Sequence, residues 1–144
     1  MTAEARKRNA GCRAADLVGD GMVVGLGTGS TAAFALERLA ARIQDGLRIQ
    51  GIPTSLQAGM LARGLGIPLT TLDDYPEPDM AIDGADQVDG HLRLIKGRGA
   101  ALTREKVVAA ASRELIIAVR VVPVFNWFTQ NTAPLSALRL SSVW

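Results

Sequence analysis

The chain has 144 residues, with 16 Lys and Arg against 14 Asp and Glu, a net charge of +2. That is the length of one domain, enough to bury a core without disulfides or metal, and the charge is too small to point to nucleic acid. Hydrophobic residues at 48% and charged residues at 21% exclude a disordered chain, and the lone Cys12 excludes an internal disulfide framework and fits a reducing, cytoplasmic compartment.

Residues 3–18 predict a helix rich in Ala, Arg and Leu, stopped by Gly19-Asp20-Gly21. Its charged start (Glu4, Arg6, Lys7, Arg8) does not read as a secretory signal. No apolar run anywhere approaches the ~18 residues of a membrane span. Residues 22–26 form a short apolar run that predicts a buried strand. Gly27-Thr28-Gly29-Ser30 reads as a tight turn, with Ser30 as N-cap of a helix from Thr31 to about Ile43. Leu36, Leu39, Ala40 and Ile43 give that helix an apolar face at 3.6-residue spacing. A second strand is expected over 47–52, a helix over 55–63 and a third extended piece over 67–72. A short strand at 80–82 runs into Asp83-Gly84-Ala85-Asp86. A further strand at 92–96, a glycine turn at 97–99, a helix at 100–112 and a strand at 115–119 complete the pattern. Strands alternating with helices predict an α/β fold: an open, mostly parallel sheet with helices on both faces.

The character of the chain changes near residue 120. Every acidic residue lies at or before Glu114, and the whole net charge of +2 comes from Arg120 and Arg139. Phe125, Trp127, Phe128 and Trp144 are in this last stretch, beside Pro123 and Pro134. It shows no hydrophobic period, and no element is assigned to it.

Three segments carry candidate chemistry. In Gly25-Leu26-Gly27-Thr28-Gly29-Ser30-Thr31, glycines allow close approach to a ligand, and the helix start favours an anion such as phosphate. Thr28, Ser30 and Thr31 add hydroxyls. No Lys follows the last glycine, so this is not a Walker loop, and Ser30 stands where a dinucleotide fingerprint has its third Gly. A small phosphorylated molecule fits better than a dinucleotide, against the alternative of a turn needed only for packing. The second segment is Asp83 and Asp86, three residues apart after a strand. They read either as acid, base or hydroxyl holders at the carboxyl edge of a sheet or as solvated acids of an Asp-Gly turn. The third is Lys96-Gly97-Arg98-Gly99 followed by Thr103-Arg104-Glu105-Lys106. Its glycine turn can offer N–H groups to an oxyanion, while Glu105 also suits a helix first turn electrostatically. His91 is the sole histidine, so neither a multi-histidine metal site nor a Ser-His-Asp triad is expected. Lys7 reads as a solvated helix charge or as a phosphate contact, and Cys12 as a small apolar residue.

In this order, Gly-Leu-Gly-Thr-Gly-Ser-Thr-Ala, Ile-Asp-Gly-Ala-Asp and Leu-Ile-Lys-Gly-x-Gly-Ala-Ala-Leu-Thr-Arg-Glu-Lys resemble the ribose-5-phosphate isomerase A family from the first helix to about Ala118. The resemblance implies a metal- and cofactor-independent aldose–ketose isomerase interconverting ribose 5-phosphate and ribulose 5-phosphate through a cis-enediolate. It implies that Thr28, Gly29, Ser30 and Thr31 line the substrate and its phosphate. Glu105 would be the general base, Asp83 the acid linked to ring opening, and Asp86, with Gly84 and Ala85, the holder of substrate hydroxyls. Lys96 with Gly97, Arg98 and Gly99 would stabilise the enediolate oxygen. The resemblance also implies a homodimer or a larger assembly. Neither membrane nor nucleic acid is an expected partner, and no helix-turn-helix segment precedes the domain.

The chain departs from the family pattern at Gln87, usually Glu, and at Arg98, which replaces the middle glycine of three. A long side chain there costs about 1 kcal/mol or more if φ is positive. After Ala118 the expected Asp-x-(Ser/Thr)-Lys is replaced by Val119-Arg120-Val121-Val122. These breaks predict a catalytic α/β domain over 1–118 and a divergent tail over 119–144 in place of the family's second, small α+β domain, as in a truncated or frame-shifted member. A non-catalytic sugar-phosphate-binding module and an inactive fragment are the alternative readings.

Overall fold

The computed structural model describes residues 2–84, 87–88, 94–95, 102–118 and 137–140. Helix α1 (Ala3–Asp16) begins at Thr2, whose hydroxyl accepts the Ala5 N–H at 3.1 Å. It stops two residues short of the expected end. Leu17 and Val18 switch to tighter bonds onto the Ala14 and Ala15 carbonyls, and the Arg42 guanidinium donates to the Ala15 and Val18 carbonyls, each at 2.7 Å. The carbonyls orphaned by the helix end are thus taken by a cation, the charge that a helix C-terminus prefers.

Strand β1 (Val23–Leu26) leads to α2 (Ser30–Gln44), β2 (Gln50–Pro53), α3 (Leu56–Gly64) and β3 (Met80–Gly84). After these come β4 (Gln87–Val88), β5 (Leu94–Ile95), α4 (Leu102–Ala111), β6 (Leu115–Ala118) and β7 (Ala137–Leu140). The main sheet has five strands in the order β2-β1-β3-β6-β7. Its β2/β1, β1/β3 and β3/β6 pairs are parallel, and β6/β7 is antiparallel.

The expected open, mostly parallel α/β sheet is therefore present, with three local features. The extended piece expected at 67–72 meets the sheet through a single parallel bridge, Leu69 to Gly51. Pro68 accepts there from the Gly51 N–H but has no N–H to extend the ladder. The strand expected at 92–96 is described at Leu94–Ile95, which pairs with Gln87–Val88 in a separate two-stranded sheet. Third, four residues of the tail, Ala137–Leu140, join the main sheet beside β6, with Leu138 opposite Ile117.

Alternation along the strands separates the two faces of the sheet. Val24 and Leu26 of β1, Met80 and Ile82 of β3, and Ile116 and Ala118 of β6 form one core with Ala10, Ala14 and Ala15 of α1, Val18 just beyond that helix, and Leu36 and Leu39 of α2. Ala62 of α3 belongs to the same cluster. Gly25 faces the other way, towards Val108 of α4, so helices cover both faces. At the rim, Arg48 donates from its main-chain N–H and its guanidinium to Asp20, at 2.8 and 2.7 Å. These bonds hold the Asp20 carboxyl below its ordinary pKa, although an exposed pair of this kind contributes little stability.

Helices α1 and α2 approach closely at Gly11. A Cβ there would lie 2.6 Å from the Thr31 carbonyl oxygen and 2.9 Å from the Ala35 nitrogen, both main-chain atoms that cannot swing aside. Gly to Ala in a helix ordinarily gains about 1 kcal/mol. Gly11→Ala is expected instead to cost ~1–3 kcal/mol through overpacking. Gly64→Ala, where nothing lies within 4 Å, should stabilise by ~0.5–1 kcal/mol. Urea denaturation of the two variants checks both signs, and a gain from Gly11→Ala would refute the close packing.

Candidate functional site

The carboxyl ends of β1, β2 and β3 lie side by side, because Leu26 is in register with Pro53 on one flank and Ile82 on the other. In open parallel sheets this edge is where ligands bind. The ladder between β1 and β3 runs one residue past the strand, with the Gly27 N–H donating to the Ile82 carbonyl at 2.8 Å. A Cβ on Gly27 would stand 2.5 Å from both the Ile82 oxygen and Asp83 Oδ1. Only a residue without a side chain can bring the main chain this close to the carboxylate. Asp83 is 4% exposed, and its Oδ1 accepts the Gly84 N–H at 2.8 Å.

Gly29 then turns the chain into α2 with φ +104° and ψ 175°, a combination essentially confined to glycine. Gly29, and not Ser30, is the N-cap, and α2 has no side-chain cap bond. The expected cap fails because the turn uses one residue fewer: the helix starts at Ser30, which is already helical. By contrast, α1 and α3 are capped by the Thr2 and Ser55 hydroxyls. The first-turn N–H groups of α2, which have no partner within the helix, therefore meet no capping hydroxyl, and Gly29 and Ser30 are exposed. Lys7 of α1 reaches this point, its Nζ donating to Ser30 Oγ at 3.0 Å. Thr31, one residue on, lies over the end of β3, its Cβ 3.7 Å from where a Cβ on Gly84 would stand.

Glu105 is placed by α4. Val108 packs over Gly25, its Cγ1 2.6 Å from where a Cβ would be. After a parallel crossover a helix runs opposite to its strands. Glu105, three residues earlier, thus shares that helix face about 4.5 Å nearer the carboxyl edge. Gly27 and Asp83 are at that level, on the same side of the sheet as Gly25 and Ala81. Glu105 is 9% exposed. Two mostly buried carboxylates, Asp83 and Glu105, thus belong to the α4 face of the sheet at its carboxyl end, beside an uncapped helix N-terminus.

The remaining candidates, Ala85, Asp86, His91, Lys96, Gly97, Arg98 and Gly99, lie outside the described residues. Cys12 is half-buried on α1. Sequence reasoning passed over Thr54 and Ser55 as chemistry. Thr28 Oγ1 lies 3.1 Å from Thr54 Oγ1 and 2.7 Å from Ser55 Oγ, so the turn after β2 belongs to the same edge. Two adjacent hydroxyls directly after a strand that neighbours the glycine loop were the available signal.

An open, mostly parallel sheet with helices on both faces and a glycine loop at its carboxyl edge places the chain in the doubly wound α/β class. Within that class, the chain belongs to the ribose 5-phosphate isomerase A (phosphoriboisomerase A) family, whose profile matches residues 50–127. It is 63% identical over 115 residues to a ribose-5-phosphate isomerase A from Methanoregula boonei, covering 80% of this chain and 48% of that relative. The ribose 5-phosphate isomerase A structure from Methanocaldococcus jannaschii superposes with a TM-score of 0.77 at 47% identity, over 81% of this chain and 52% of that one. A D-ribose-5-phosphate isomerase in complex with phospho-erythronic acid superposes with a TM-score of 0.79 at 44% identity, over 81% of this chain and 52% of that one. The chain spans about half the length of the curated relatives it matches. No helix among the described residues is long and apolar enough to cross a membrane.

Gly29 stands in open space, with nothing within 4 Å of a Cβ, so replacing it tests the backbone alone. Gly29→Ala is expected to cost ~1–3 kcal/mol from the positive φ, read as a lower urea midpoint with an unchanged slope. An unaltered midpoint would mean that the loop does not hold this conformation.

Proposed function

We propose that this chain interconverts ribose 5-phosphate and ribulose 5-phosphate, with the phosphate at the α2 N-terminus and the carbonyl end at the Asp83–Glu105 side. The observation that carries this reading is the placement of two mostly buried carboxylates on one face of the sheet edge, beside a helix start that no side chain caps. Family membership supports it, as does the phosphorylated four-carbon acid named with one structural neighbour.

The chemistry needs a base, an acid and a stabilised oxyanion. The Glu105 carboxylate takes the proton from C2 of the open-chain aldose, and the electron pair moves into a C1–C2 double bond to form the cis-enediolate. The hydroxyl proton on O2 then passes to O1, Glu105 returns its proton to C1, and the C2 oxygen collapses to a carbonyl, which gives the ketose. Asp83 moves the hydroxyl proton during ring opening, and Asp86 holds substrate hydroxyls. Lys96, with the main chain of Gly97, Arg98 and Gly99, offsets the negative charge on the enediolate oxygen. Main-chain N–H groups at Ser30 and Thr31 and the Lys7 ammonium take the phosphate, since anions are favoured where helix dipole and N–H groups converge. The carboxylate proton relay needs no metal or redox cofactor. The reading carries with it a catalytic unit over 1–118 followed by the tail at 119–144. It also places the protein in the cytoplasm as a homodimer, acting on a sugar phosphate rather than nucleic acid.

Glu105→Gln keeps the size of the side chain and one acceptor oxygen but removes the base. Turnover of ribose 5-phosphate in a coupled assay is expected to fall ~10²–10⁴-fold, while the Kd for ribose 5-phosphate by calorimetry stays within about threefold. Wild-type chain that binds the sugar phosphate without turnover would leave a binding module and end the catalytic proposal.

A further inference from the structure

Three hydroxyls meet where the first glycine loop passes the β2–α3 turn, and their protons can be counted. Thr54 is 3% exposed, and its Oγ1–H donates to the Leu26 carbonyl at 2.8 Å. A hydroxyl has one proton, so the 3.1 Å contact between Thr54 and Thr28 is a bond only with Thr28 as donor. Thr28 then has no proton for its 2.7 Å contact with Ser55, so Ser55 donates there. The Ser55 oxygen meanwhile accepts the Ala58 N–H at 3.0 Å and caps α3. The chain of donation runs from Ser55 to Thr28 to Thr54 to Leu26, and all three protons are spent inside the protein. Thr28 therefore has no proton left for a bound anion, contrary to the donor role its position in the loop suggested. What it does is tether the loop.

We infer that Thr54 is a positioning residue of this site: its buried hydroxyl holds Thr28, and through Thr28 it sets the glycine loop from which the α2 N–H groups face the phosphate. The inference rests on the sugar-phosphate reading above. The tether joins two elements that the sheet already places in register, since the Thr54 N–H also donates to the Leu26 carbonyl at 3.0 Å. That second bond makes the hydroxyl separable from the fold. In Thr54→Val the Leu26 oxygen keeps the Thr54 N–H, and Thr28 keeps Ser55, so no buried polar group is left unpaired.

The test measures the Kd of ribose 5-phosphate by calorimetry for the full chain, for Thr54→Val and Thr54→Ser, and for Thr54→Val on a Thr28→Val background. Thr54→Val is expected to weaken binding about fivefold, the worth of one net hydrogen bond, and Thr54→Ser to restore it. On the Thr28→Val background, Thr54→Val should change Kd less than about twofold, because the two residues act as one unit. Where turnover is measurable, KM should rise with kcat unchanged, as expected for loss of uniform binding. Wild-type affinity in Thr54→Val, an equal loss in Thr54→Ser, or an undiminished effect on the Thr28→Val background would each overturn the inference while leaving the sugar-phosphate reading intact. A wild-type chain that binds no ribose 5-phosphate removes that reading, and the inference with it.

Discussion

The close approach of the Gly27 main chain to the end of β3 is the constraint on which the site depends. The bond from its N–H to the Ile82 carbonyl carries the β1–β3 ladder one residue past the strand. The chain therefore leaves the sheet at the level of Asp83, not above it. Any side chain at this position would meet the Asp83 carboxylate and a main-chain oxygen at once. The strands would then have to separate, and the start of α2 would lift away from the end of β3. The proximity of Thr31 to Gly84 and the reach of Lys7 to Ser30 both follow from this one contact.

The two faces of the sheet divide the work. One holds the apolar core, in which Val24, Leu26, Met80 and Ile82 pack against α1, α2 and α3. Burial there contributes roughly 1.5–3 kcal/mol per large side chain, and it fixes the position of the glycine loop. The other face has small residues, Gly25 and Ala81, opposite Val108. That economy of volume lets α4 come down onto the strands and bring Glu105 to the level of Asp83. A larger residue at Gly25 would raise the helix and the carboxylate with it.

Helix termini show the same division between structure and site. Hydroxyls satisfy the first turns of α1 and α3, and the Arg42 guanidinium satisfies the last turn of α1. The start of α2 lacks a side-chain cap, and the nearest hydroxyl of the loop, Thr28, is turned back onto Thr54 and Ser55. Leaving such N–H groups to solvent forgoes roughly 1 kcal/mol of capping stabilisation. The loop thus keeps its donors directed outwards at some expense in stability, as ligand sites commonly do.

The sequence by itself determined the parallel α/β architecture, the glycine loop between β1 and α2, and the candidate carboxylates Asp83 and Glu105. These are local signals: hydrophobic period, turn residues and motif order are set by near neighbours along the chain. It did not reveal that the extended piece at 67–72 meets the sheet through the lone bridge of Leu69 to Gly51, that Leu94–Ile95 pairs outside the main sheet, or that Ala137–Leu140 joins it. Each depends on which strand edge is free, a property of the assembled sheet. Nor did it show that Gly29 caps α2 in place of Ser30, that Glu105 reaches the level of Asp83, or that Thr28 spends its proton on Thr54. Those outcomes were decided only by the tertiary structure, because they turn on contacts of a few ångströms between residues far apart in sequence, and such distances exist only once the strands are in register.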